Sequence, residues 1–153
     1  MPILTAAMKA LVRDHTLGFV ASVDADGTPN LSPKGTMAVI DDDTIGFGEM
    51  RSPGTLANIA RRPMVELNFV DVFSRKGYRF KGKAKFHAKG TAEYARLLPA
   101  FAKWSDLHPR FNGIVTVAVE RALAISSPAY DAGATEAELK AKFKAHFLAL
   151  LDE

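Results

Sequence analysis

A chain of 153 residues, 48% of them hydrophobic, is long enough for one domain with a real core. It contains no cysteine, which excludes disulfides, thiolate metal sites, iron–sulfur clusters and cysteine nucleophiles. A net charge of +3, from 20 basic and 17 acidic residues, is too small to demand a nucleic-acid partner. No apolar run is long enough to span a bilayer. The start of the chain lacks the basic and apolar regions of a secretory signal, so a cytoplasmic location and no membrane partner are expected.

Leu4, Ala7, Met8, Leu11 and Val12 recur at helical spacing, which predicts an amphipathic helix over 3–15. Phe19 to Val23 reads as a strand, and Asp24-Ala25-Asp26-Gly27 as a hairpin turn. Thr28 to Ile40 reads as one long second strand. Its side chains alternate, so Asn30, Ser32, Lys34 and Thr36 share one face, and Leu31, Pro33, Met37 and Val39 the other. Such a strand is either half-exposed at an edge, where Pro33 is tolerated, or the wall of a binding groove. Asp41 to Asp43 turns the chain into a third strand, Thr44 to Glu49.

Gly46 to Pro63 runs a strand straight into a helix over 53–61. Pro53 suits the first helical position and Ser52 the N-cap. The amides of Gly54 and Thr55 are then free at the positive end of the helix, a ready site for a phosphate. Arg51, Thr55, Asn58 and Arg62 fall on one helical face, and Leu56, Ile59 and Ala60 on another. The alternative is an ordinary capped surface helix.

Met64 to Val70 is a fourth strand. Lys76 to Phe86 alternates cleanly: Tyr78, Phe80, Gly82, Ala84 and Phe86 point one way, and Arg79, Lys81, Lys83 and Lys85 the other. Thr91 caps a helix with Tyr94, Leu97, Leu98, Phe101 and Trp104 on its apolar side. Ile114 to Ile125 is the sixth strand. Thr135 and Glu138 form a capping box for a last helix whose buried stripe is Leu139, Phe143, Phe147, Leu150 and Leu151. Six strands, begun as a meander and joined mostly by hairpins, predict an antiparallel barrel of α+β type in a single domain, 1–153.

Three stretches together resemble the FMN-binding split-barrel family of pyridoxamine 5′-phosphate oxidase: Asp24 to Gly35, Gly48 to Ile59, and Val70 to Phe80 with its Arg75-Lys76-Gly77-Tyr78-Arg79-Phe80 core. The resemblance implies a homodimer with FMN at the subunit interface. Lys34, Gly35 and Thr36 would flank the flavin, with Met50 close to it. Arg51, Ser52, Thr55 and Asn58 would hold the phosphate, with Arg79 and Lys81 as further contacts and Trp104 reaching in from the partner. Family members commonly carry a lysine where this chain has Gly54, so one expected charge is missing. Related branches bind a deazaflavin or haem.

In a flavoprotein the cofactor carries the redox chemistry, so no acid–base pair is required. None stands out, and no catalytic residue is assigned. His15, His87, His108 and His146 lack metal-ligand spacing. Trp104 on an apolar stripe reads more readily as core or dimer packing than as a cofactor contact. The basic run from Arg75 to Lys89 supports the rival class, a nucleic-acid-binding module. Its aromatics, however, face away from its cations, and a stacking platform needs them together. The expected function is an oxidoreductase or flavin reductase with a small-molecule substrate and a reduced nicotinamide, NADH or NADPH, as donor. A flavin carrier without turnover is the other alternative.

Overall fold

The computed structural model describes residues 2–152. The elements in chain order are α1 (Ala6–His15), β1 (Gly18–Val23), β2 (Pro29–Lys34), β3 (Met37–Val39), β4 (Thr44–Glu49), α2 (Pro53–Arg61), β5 (Met64–Asp71), β6 (Lys76–Ala88), α3 (Ala92–Leu97), a 3₁₀ segment (Leu98–Arg110), β7 (Gly113–Ser126) and α4 (Glu136–Leu151). The strands form one antiparallel sheet in the order β2-β1-β5-β6-β7-β4-β3.

The strand expected over 28–40 is therefore two strands, and the count is seven rather than six. The break falls at Gly35 and Thr36, and its cause is the closure of the sheet. β2 and β3 are successive pieces of one segment, yet they stand at opposite edges of the sheet. The segment leaves one edge and joins the other, which curls the sheet into a half-barrel. Thr36 pins the crossing, with its hydroxyl 3.2 Å from both the amide and the carbonyl of Gly48 on β4.

Local signals set the other boundaries. Gly27 takes a left-handed φ of 89° at the end of the β1–β2 turn, and its amide donates to the Asp24 carbonyl at 3.0 Å. The Thr5 hydroxyl accepts from Met8 N and starts α1. β6 alternates as expected: Phe80, Gly82 and Ala84 are buried, while Arg79, Lys83 and Lys85 are exposed. A bulge at Lys81/Gly82 shifts its register with β7. Gly82 is required there, because a Cβ would sit 2.1 Å from the Ala118 carbonyl oxygen.

The barrel interior holds Val20, Met37, Ile45, Phe47, Leu67, Phe69, Phe80, Val115 and Val117. α2 stoppers it with Ile59, and α1 adds Val12. A second cluster, Tyr94, Leu97, Phe101, Phe111 and Ile114, lies beneath α3 and the 3₁₀ segment. The helix expected from Thr91 through Trp104 is short. It passes into 3₁₀ turns, with Phe101 and Trp104 outside helical φ/ψ.

α4 departs further from expectation. Its capping box is present, with Thr135 and Glu138 bonded reciprocally. Its stripe is not buried: Leu139 is 6% exposed, but Leu150 and Leu151 are 52% and 81% exposed. Glu136 accepts from Lys140 and Lys76 at 2.7 and 2.8 Å. These hydrogen bonds, that of Lys140 foremost, hold its carboxyl down at about 2. A lowered carboxylate stabilises the folded state above its unfolded value of 4.5 and loses that effect as pH falls through about 2. The pairs lie in water, so the gain is small. NMR titration of Glu136 is expected to show a midpoint below the ordinary glutamate value, and a midpoint at that value would show that α4 does not hold these pairs. Among the described residues no helix is long and apolar enough to cross a membrane.

Candidate functional site

The break between β2 and β3, the end of β4 and the start of α2 meet at one place. Strand β4 is buried along nearly its whole length, with Ile45 and Phe47 in the barrel core and the Phe111 ring against Gly48, and it ends in Glu49, 1% exposed. A carboxylate at that depth needs donors. The Ser52 amide donates to Oε1 at 2.6 Å, and the Ser52 hydroxyl donates to Oε2. Lys34 Nζ, from the end of β2, reaches Oε2 at 3.3 Å and Ser52 Oγ at 2.6 Å. Lys34 is itself 9% exposed and lies 5.3 Å from the centre of the Phe47 ring.

This knot explains why the polar face of the 30–36 segment points inward. Lys34 and Thr36 are buried, whereas Leu31 is 64% exposed. The knot also changes the part played by Ser52. It stands at the N-cap of α2 but makes no side-chain cap bond, because its hydroxyl is turned back to Glu49 and Lys34.

Above the knot opens a cleft of about 390 Å³, lined by Lys34, Gly35, Thr36, Met50 and Arg51 together with Arg110. Five residues expected around the flavin are thus brought together. Arg51 and Arg110 are exposed and form no ion pair among the described residues. Their guanidinium donors are available to a ligand, whereas the charge of Lys34 is already offset by Glu49. A Cβ on Gly35, which lines the cleft, would meet nothing within 4 Å, so the cleft stays open above it. The arrangement suits a phosphate: two fork-shaped, unpaired cations close to the start of a helix.

The other expected residues lie elsewhere in the single chain. Thr55 and Asn58 are each 2% exposed. The Thr55 hydroxyl accepts from Asn30 Nδ2 at 3.4 Å, and Asn58 Nδ2 donates to Ser22 Oγ at 3.0 Å and Asp24 Oδ1 at 2.7 Å. Arg62 donates to the Asp24 carbonyl at 2.6 Å. The helix face carrying these residues thus fastens α2 to the β1–β2 hairpin. Arg79 and Lys81 lie on the outer face of β6, each 3.4 Å from Glu66. Trp104 packs on Phe101 at 6.2 Å and borders a small separate hollow with Arg13 and Met37.

Glu49 and Arg110 escape a reading of the sequence. Glu49 does leave a trace, as an acid ending an otherwise apolar strand. Arg110 leaves none, since it reaches the cleft only through the path of the 3₁₀ segment. His87 is buried, with Nε2 2.9 Å from Thr116 Oγ1. Burial pushes its imidazole below the ordinary value, and it takes no part in the cleft.

A profile of the pyridoxamine 5′-phosphate oxidase family matches residues 4–121. Among solved structures, HupZ of Group A Streptococcus is 34% identical with a TM-score of 0.69, covering 80% of this chain and 94% of its own. A pyridoxamine 5′-phosphate oxidase candidate from Lactobacillus delbrueckii is 27% identical with a TM-score of 0.66, covering 80% and 95%. An FMN-binding protein from Syntrophomonas wolfei, 16% identical, shares the fold with a TM-score of 0.62 over 78% and 84%. No curated protein matches the chain.

Proposed function

The chain belongs to the pyridoxamine 5′-phosphate oxidase family, and on that premise we propose that it is an FMN-binding protein whose cleft between β2–β3 and α2 takes the cofactor phosphate. The observation that carries the reading is the pair of unpaired guanidiniums, Arg51 and Arg110, beside the start of α2. Arg51 and Arg110 bind the phosphate oxygens, and the Lys34–Glu49–Ser52 knot fixes the floor of the cleft beneath them. Thr55 and Asn58 act from beneath by holding α2 in place. Gly35 lets the flavin ring approach the backbone, with Thr36 and Met50 beside it. Bound FMN would supply hydride and electron transfer, with a reduced nicotinamide as the donor we favour.

A homodimer completes the site. The outer face of the sheet carries Phe19, Leu31 and Leu123, exposed by 39%, 64% and 43%, in register with Arg79 and Lys81. Exposed apolar side chains around cations are what a partner subunit would bury. From that face Arg79 and Lys81 reach a cleft in the partner; Trp104, on the 3₁₀ segment, likewise reaches it only across an interface. The nucleic-acid reading is weaker, because Phe80, flanked by Arg79 and Lys81, is fully buried and the cations have no stacking aromatic from that position on their own face.

The missing family lysine gives a direct test of the phosphate position. Gly54 has open space at its Cβ and no left-handed φ, so Gly54→Lys is accommodated without strain. It is expected to tighten FMN binding about tenfold through one added charge-assisted bond. Fluorescence titration checks this; unchanged or weaker binding would put the phosphate elsewhere. The reading as a whole is tested by the absorption spectrum of purified protein, before and after FMN addition and desalting. About one flavin per chain, bleached anaerobically by NADH or NADPH, is expected. A flavin that stays bound but is never reduced would make the protein a carrier.

A further inference from the structure

The C-terminal helix, which lies beyond the residues that the family profile matches, builds a second groove against the β5–β6 hairpin and the end of α1. α4 is moored to the β5–β6 hairpin at its start and middle. The Arg75 guanidinium lies 3.7 Å from the centre of the Phe143 ring, and Phe73 meets Phe147 edge-on at 5.7 Å. The Tyr130 hydroxyl donates to the Ser74 carbonyl at 2.6 Å. Beyond Phe147 the helix overhangs, leaving a groove of about 580 Å³ between α4, the hairpin and the end of α1. Small-molecule sites span roughly 300–1,000 Å³ and combine an apolar lining with a few polar groups. Here Phe73, Phe147, Leu148 and Leu151 form the lining, with Lys140 and Lys144 among the polar groups at the rim.

We propose that this groove binds a small amphiphilic anion, a molecule with an apolar body and a single carboxylate or sulfonate head. The charges at the rim select the head. Lys140 is paired with Glu136, but Lys144 has no carboxylate within ion-pair distance among the described residues. The rim also holds Asp71 and His15, 3.9 Å apart. Burial works to raise the Asp71 carboxyl, but hydrogen bonds from Ser74 and the Phe73 amide, helped by His15, outweigh it and keep the group below its ordinary value. Asp71 is therefore engaged by its own hairpin, and the free charge of the rim is the cation on Lys144. The apolar lining selects the body: Leu148 is 51% and Leu151 81% exposed, and an apolar body would cover both. An inorganic anion would leave the leucines wet, and a neutral hydrocarbon would leave Lys144 without a partner.

The test is a fluorescence titration of the full chain with 1-anilinonaphthalene-8-sulfonate, followed by displacement with decanoate and with decan-1-ol. Saturable binding of about one dye per chain is expected, with decanoate displacing it about tenfold better than decanol. Lys144→Glu, an exposed change, is expected to weaken both dye and decanoate about tenfold while leaving the melting temperature unchanged. Equal displacement by decanol, or wild-type affinity in Lys144→Glu, overturns the proposal. So does absence of decanoate binding together with a lower sedimentation mass for Leu148→Asp, which would mean that a second copy of the chain covers the groove.

Discussion

Glu49→Ala is expected to lower the unfolding free energy by about 3–5 kcal/mol, the usual cost of removing one partner from a buried ion pair. Lys34 would remain 9% exposed with Ser52 Oγ as its remaining hydrogen-bond partner. The Ser52 amide would lose the carboxylate that accepts from it at 2.6 Å. Both losses fall on the turn that links β4 to α2. Chemical denaturation at neutral pH measures the effect. Lys34→Met alone leaves the carboxylate buried with only Ser52 as donor, so it is also costly. The double variant Lys34→Met/Glu49→Leu removes both charges, and its loss is expected to fall short of the sum of the two single losses by about 2 kcal/mol. Strict additivity would show that the two side chains do not interact as the geometry indicates.

Removing the two free guanidiniums is expected to act on the ligand rather than on the fold. Arg51→Ala/Arg110→Ala should weaken FMN binding about 100-fold, since each charge-assisted bond contributes at least about 1.5 kcal/mol. Both residues are exposed and unpaired, so the variant should melt where the wild type does. The single variants should each lose about tenfold. A double variant that binds FMN as the wild type does would remove the phosphate from this cleft. That result would leave the family assignment standing and overturn the assignment of roles within it.

The parts of the fold that could be read from the sequence are those set by near neighbours along the chain. The β1–β2 turn follows from Gly27, the start of α4 from Thr135 and Glu138, and the buried face of β6 from its alternation. The start of α2 at Pro53 was equally legible. What could not be read depends on distant contacts. The split at Gly35 and Thr36 exists because one segment must serve both edges of a closing sheet, and alternation along 28–40 carries no sign of it. The polar face of that segment reads equally as solvent-facing or as the wall of a groove until Glu49, 15 residues away from Lys34, is seen to need its cation.

The same reasoning applies to the candidate site. Lys34, Gly35, Thr36, Met50 and Arg51 are gathered by two short stretches of chain, the same stretches that carry the resemblance to the family, and that resemblance singled them out. The face of α2 bearing Thr55 and Asn58 has the spacing of an anion site, yet in the fold it ties the helix to Ser22 and Asp24. Hydroxyl and amide groups serve a hairpin as well as they serve a phosphate, and only the position of the hairpin decides between them. Arg110 arrives from a 3₁₀ segment whose course has no periodic signature. The apolar stripe of α4 was legible as a stripe, but periodicity does not say whether anything covers it.

The most direct measurement is a comparison of FMN and riboflavin affinities for the wild-type protein by flavin fluorescence quenching. The two ligands share the ring and ribityl chain and differ in the phosphate. If Arg51 and Arg110 grip that phosphate, FMN binds about 100-fold more tightly, and the preference disappears in Arg51→Ala/Arg110→Ala. Equal affinities in the wild type would contradict a phosphate site at the start of α2.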